Sequence, residues 1–115
     1  MAEDCIFCKI AAGDIPSTTV YADEEFYAFR DIHPLAPTHV LLIPRQHIAA
    51  ITDAGPEDAP MLGNLILRAN HIAAQEGLTA NGFRCVLNCG PWGGQAVFHI
   101  HLHILGGRKM ADSAG

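Results

Sequence analysis

The chain has 115 residues, half of them hydrophobic, with 12 acidic against 7 basic side chains and a formal net charge of −5. That length predicts one domain, residues 1–115, with enough apolar material for a core that a dimer interface would enlarge. The acidic balance argues against a nucleic-acid surface, which needs clustered Lys and Arg, and neither an apolar run of about 18 residues nor a signal-peptide pattern is present.

Taken in chain order, Cys5 and Cys8 open a short helical pattern that Gly13 and Pro16 terminate, so the two sulfurs face the same way. A redox pair or two inert buried thiols are the alternatives to a metal site at this CxxC. Thr19 to Ala22 and Phe26 to Arg30 read as a hairpin around Asp23-Glu24-Glu25, and His39 to Ile43 as a third strand stopped by Pro44. The one long helix follows: Leu62, Leu65, Ile66, Ala69, Ile72 and Ala73 recur at helical spacing, Pro56, Glu57 and Asp58 suit its first turn and Gly77 its end. Phe83 to Asn88 and Val97 to Leu105 complete an antiparallel sheet, which makes the class α+β. Cys85 and Cys89, about 13 Å apart along a strand, are too far apart to bridge and read as core or pocket-lining thiols. Four cysteines that are unpaired or metal-bound suit a reducing cytoplasm.

The last strand carries the most information. In the run His99-Ile100-His101-Leu102-His103-Ile104-Leu105, side-chain alternation puts the three histidines on one face at about 6.6 Å spacing and Ile100, Leu102 and Ile104 into the core. Just before it, Gly90, Gly93 and Gly94 interrupt a polar segment ending at Gln95. Alone this is a turn; beside an imidazole face it is a candidate phosphate cradle. No GxxxxGK[ST] segment occurs, which excludes a P-loop nucleotide site. Two chemistries remain open from the residues alone. A neutral imidazole, with His101 in the middle, is a competent nucleophile toward phosphorus, and HxH on a strand equally suits two ligands of a catalytic zinc.

Several segments in order, Cys5-Ile6-Phe7-Cys8-Lys9-Ile10, Asp31-Ile32-His33-Pro34, Ala36 to Pro44, Gly93-Gly94-Gln95 and His99 to Arg108, resemble the histidine triad (HIT) family and within it the nucleotide-binding Hint branch. The resemblance covers almost the whole chain. It implies a five-stranded antiparallel sheet with one long and one short helix, continuous across a homodimer. The implied activity is hydrolysis of purine nucleoside phosphoramidates or related nucleotides through a nucleotidylated His101, with no metal in the chemical step. By the same resemblance, His103 contacts phosphate, His39 supports the pocket, Asp31 holds the ribose hydroxyls and Ile32 packs on the base or sugar. Asn88, Gly94, Gln95 and the backbone at Ala96 match the segment lining the phosphate site. Resemblance to the zinc-bearing members implies a structural zinc on Cys5, Cys8, His47 and His99.

Two departures bear on specificity. Many members place a serine where this chain has Ala96, and the tail from Lys109 to Gly115 differs as well. Trp92 stacks on a base or packs against a second subunit. Without the family pattern, Asp31 reads as a strand end opening a turn and Asn88 as a loop cap. The competing functions are a regulatory nucleotide-binding protein with incidental hydrolysis, a dinucleoside polyphosphate hydrolase, a zinc hydrolase and a zinc-stabilised interaction domain.

Overall fold

A computed structural model describes residues 4–114. Its strands are β1 (Thr19–Ala22), β2 (Phe26–Arg30), β3 (Thr38–Pro44), β4 (Arg84–Val86) and β5 (Leu102–Gly106), joined in one antiparallel sheet of order β1-β2-β3-β5-β4. Alternation sorts the core to the two faces. Phe26, Ala28, Val40, Leu42, Leu102 and Ile104 pack under the long helix α2 (Ala59–Gln75). Tyr27, Phe29, Leu41 and Ile43 face the other way, onto Phe7, Cys8 and Ile10 of the short helix α1 (Ile6–Ala11).

The β1–β2 turn is pinned by one carboxylate: Asp23 accepts from the backbone N–H groups of Glu25 and Phe26, from the Tyr21 hydroxyl and from Arg68 Nε on α2. The sheet and the long helix are therefore tied at both their apolar faces and this polar corner. α2 follows a 3-10 turn at Pro56–Asp58, where the Gly55 N–H donates to Asp58 Oδ2 at 2.9 Å. Its buried stripe is Met61, Leu65, Ala69, Ile72 and Ala73. Ile66, expected on that stripe, lies one residue and about 100° past Leu65. It is 56% exposed, beside Leu67 at 61%.

Both late strands are shorter than the sequence predicts. Phe83 to Asn88 contracts to Arg84–Val86, and Val97 to Leu105 becomes Leu102–Gly106. Pairing decides this: β5 runs beside β3 from Thr38↔Gly106 to Leu42↔Leu102, and one step further the partner is chain that leads into Pro44, which has no N–H to offer. Instead the Ile100 N–H bonds the Ile48 carbonyl at 2.8 Å, so residues 97–101 approach the sheet as irregular chain. Ile100 still enters the same core as Leu102 and Ile104. Cys85 stands exposed on edge strand β4 and Cys89 is half-buried in the loop after it, so neither is a core thiol. Among the described residues no helix is long and apolar enough to cross a membrane.

Candidate functional site

Because β5 begins at Leu102, the three histidines do not form one even ladder. His103 stands on the strand, whereas His99 and His101 lie on the irregular approach and take different neighbours. His101 Nδ1 lies 2.8 Å from the His99 carbonyl oxygen, which only accepts, so Nδ1 carries the proton and Nε2 keeps a lone pair. The Phe7 ring meets the His101 ring edge-on at 5.0 Å, and the His103 ring lies 5.1 Å away.

A second chain of bonds orders His103. The Leu35 N–H donates to His39 Nδ1 at 3.0 Å, so a neutral His39 carries its proton on Nε2. That Nε2–H meets His103 Nδ1 at 2.9 Å, which makes His103 Nδ1 the acceptor and leaves a proton on His103 Nε2. Asp31 Oδ2 lies 3.4 Å from the same His39 Nε2, while Asp31 Oδ1 accepts the His33 N–H at 2.8 Å and opens the turn after β2. Burial favours the neutral form of all three rings. Desolvation lowers His39 against the pull of Asp31, and lowers His101 against its bond to the His99 carbonyl. His103 is pushed to about 4 by desolvation and then by its neighbours His101 and His39.

The glycine loop is braced internally. Asn88 Nδ2 donates to the Gly93 carbonyl at 2.7 Å, and Gly94 sits at φ +84°, a conformation that side chains rarely adopt. A Cβ at Gly93 would stand 2.2 Å from the Cys89 carbonyl oxygen, so only glycine fits. The N–H groups of Gly94 and Gln95 close turns onto Pro91 and Gly90. The Gln95 carboxamide is buried: Oε1 accepts the Gly90 N–H, and Nε2 donates to the carbonyls of Ala49 and Val97. It braces the loop with every amide hydrogen used, and Ala96 beside it is exposed. Ile32 and Trp92 both project into solvent, Ile32 at 85% exposure.

His99 shares the Phe7 ring with His101, its centroid 6.1 Å away, but bonds to different partners. Its Nε2–H donates to the Pro44 carbonyl at 2.7 Å, which frees the Nδ1 lone pair toward Cys5 Sγ at 3.3 Å, Cys8 Sγ at 3.5 Å and His47 Nδ1 at 3.1 Å. Cys8 Sγ and His47 Nδ1 are 3.4 Å apart, and the four ligand atoms all lie within 4.8 Å of one another. A tetrahedral zinc with bonds of about 2.3 Å to sulfur and 2.0–2.1 Å to nitrogen needs ligand-to-ligand edges of about 3.3–3.8 Å. The donor set and spacing fit such an ion. Cys5 also caps α1, its Sγ accepting the Cys8 N–H at 3.4 Å. Asp31, His39 and His103 form a second group of possible ligand atoms, and His101 belongs to neither.

Two participants escaped the sequence reading. Leu35 acts through its backbone N–H, which leaves no trace in residue type. Phe7, between the two cysteines, reads as an ordinary core residue, and only the placement of α1 brings it to His101.

A HIT domain family model matches residues 12–110. The chain is 48% identical to the purine nucleoside phosphoramidase of Escherichia coli K12 over 110 residues, 96% of this chain and 92% of that one. A HIT family hydrolase from Legionella pneumophila superposes with a TM-score of 0.95 at 52% identity, covering 97% of this chain and 100% of the other. A zinc-bound histidine triad family protein from Mycobacterium smegmatis superposes at 0.77 with 37% identity, over 97% and 80% of the two chains. With its sheet, its two helices and this agreement over nearly its full length, the chain belongs to the HIT domain family.

Proposed function

We propose that this HIT-family hydrolase cleaves purine nucleoside phosphoramidates, or related nucleotides, through a nucleotidyl-His101 intermediate. The observation that carries the reading is the His101 tautomer: Nδ1–H is tied to the His99 carbonyl and the neutral Nε2 is left as a nucleophile beside His103. In the first step Nε2 bonds to the α-phosphorus as the phosphorus–nitrogen bond to the amine breaks. One water gives its proton to the amine nitrogen as that bond breaks, and its hydroxide then adds to phosphorus as the His101–phosphorus bond breaks, which releases the nucleoside monophosphate. His103 donates its Nε2–H to a phosphate oxygen, and His39 keeps it in that tautomer. Asp31 accepts the ribose hydroxyls, and Ile32 packs on the base or sugar. Asn88, Gly94, Gln95 and Ala96 line the phosphate end, the first three by shaping the loop. Ala96 has no hydroxyl to offer the leaving group, which leaves water as the proton source.

The same reading places a structural zinc on Cys5, Cys8, His47 and His99, stiffening the approach to His101 without joining the chemistry. Thiolate ligands of this kind suit a reducing cytoplasm. The open edge of β4 and the exposed Ile66 and Leu67 of α2 support pairing of two chains into a continuous sheet. No role for nucleic acid is included. A zinc hydrolase is disfavoured by the placement of His101 outside both groups of ligand atoms.

The test is intact-protein mass spectrometry after mixing with an adenosine phosphoramidate. A transient gain of one nucleotidyl group, mapped to His101 and absent from His101→Ala, is expected. Turnover by His101→Ala at the unmodified rate would overturn the mechanism. Tight nucleotide binding with background turnover in the natural sequence would select the regulatory reading.

A further inference from the structure

We infer that Arg108, in the Gly106-Gly107-Arg108 turn after β5, is a positioning residue that sets the proton arrangement of His39 and His103 by clamping Leu35. The inference rests on the proposed role of His103 and extends it to a residue outside the pocket. Leu35 is held from both sides of its Cα. Its carbonyl accepts Arg108 Nη2–H at 3.0 Å, and its N–H donates to His39 Nδ1 at 3.0 Å. His39 Nε2–H then reaches His103 Nδ1 at 2.9 Å. The guanidinium is itself oriented by a second bond from Nη1 to the Lys109 carbonyl.

The turn seats against the same loop. Gly107 lies at φ +93°, and a Cβ there would stand 2.9 Å from Pro37 Cβ. The backbone thus approaches the 33–37 loop more closely than another residue would permit. When its Nδ1 loses the Leu35 donor, the His39 ring is left with the Asp31 carboxylate, 3.4 Å from Nε2, as its remaining bias toward the Nε2–H form, so the other neutral tautomer gains population. If His39 adopts the other tautomer, its Nε2 becomes an acceptor facing His103 Nδ1, and His103 must turn its donor away from the phosphate. Arg108 itself is exposed, so its truncation leaves no buried void.

The test uses the metal-loaded full chain with 15N-labelled histidine. Long-range proton–nitrogen spectra at pH 7.5 report which ring nitrogen of His39 and His103 carries the proton, and steady-state hydrolysis of an adenosine phosphoramidate reports turnover. In the natural sequence His39 is expected as the Nε2–H tautomer. Arg108→Ala should shift both rings toward a tautomer mixture and lower kcat roughly tenfold, on the order expected for one misplaced hydrogen bond. Arg108→Lys, which can still donate to Leu35, should recover most of both. Lys109→Ala, with no side-chain tie to the loop, should match the natural sequence. Unchanged His39 and His103 nitrogens in Arg108→Ala overturn the inference whatever happens to kcat, as does a tautomer shift with unchanged turnover. If the natural sequence hydrolyses no phosphoramidate, the proposed function fails, and the nitrogen spectra still decide whether Arg108 sets the two rings.

Discussion

Gln95 shows how a polar side chain can serve a site without touching the substrate. Its buried amide joins three backbone groups, at Gly90, Ala49 and Val97, that make no other hydrogen bond among the described residues. Truncation strands them at about 1–3 kcal/mol each where they stay dry, and entering water recovers part of that. Gln95→Ala is therefore expected to lose about 2–4 kcal/mol in urea unfolding and to slow turnover as the loop comes away from Ala49. Gln95→Glu, of equal volume but unable to donate, should fall nearly as far; a loss under about 0.5 kcal/mol in both would show that the bonds contribute nothing. The sequence displayed an amide beside glycines, where donation to a phosphoryl oxygen and donation to the backbone read alike. The choice depends on Ala49, brought in from 46 positions away. The histidine run has the same limit: alternation revealed the core partners Ile100, Leu102 and Ile104. The departure of His99 depends on Pro44 and on a cysteine pair 94 and 91 residues distant.

At the level of elements, α1 has only six residues, far below the length at which a helix persists alone in water. Its order comes from Phe7, Cys8 and Ile10 against the sheet and from the four-ligand cluster. Cys5→Ser should lower stability by about 2 kcal/mol or more, on the order of 8 °C in a domain of this size, and reduce the zinc that co-purifies. An unchanged melting temperature together with zinc-free natural protein would remove the metal proposal. The long helix was legible from its spacing because a stripe of period 3.6 is a local property, yet its edge was not. Whether Ile66 falls inside or outside depends on how α2 is rolled against the sheet, which Met61 and Leu65 decide. That roll leaves Ile66 and Leu67 exposed, and the proposed pairing of two chains would cover them. Ile66→Glu combined with Leu67→Glu should convert a dimer to monomers in sedimentation experiments, and a monomeric natural sequence would refute the paired sheet. The β1–β2 hairpin was readable to the residue because a short polar turn between alternating strands is closed by local bonds, here those of Asp23.

For the whole molecule, the consequence is a stability that falls in mild acid. Burial lowers the proton affinity of His39 and His103, and His103 titrates at about 4 against an ordinary 6.5. Between those values the unfolded chain holds protons that the folded chain refuses, so the unfolded state binds more protons and stability rises with pH through the window. The contribution is complete above about pH 6.5 and is lost as pH falls toward 4. Asp23 has the opposite chemistry and a separate window. Its bonds to Tyr21, Arg68 and two backbone N–H groups outweigh desolvation and hold it well below the usual carboxylate range, so its share is lost only below about pH 4. Urea midpoints measured from pH 7.5 to 5 should therefore fall before Asp23 takes up a proton. Each proton refused adds a slope of up to about 1.4 kcal/mol per pH unit. His103→Gln, which cannot take a proton in either state, should remove up to that much slope between pH 6 and 5. If the variant and the natural sequence share one slope there, His103 is charged in the fold at pH 5. The neutral ring needed to accept from His39 would then be absent under acid conditions.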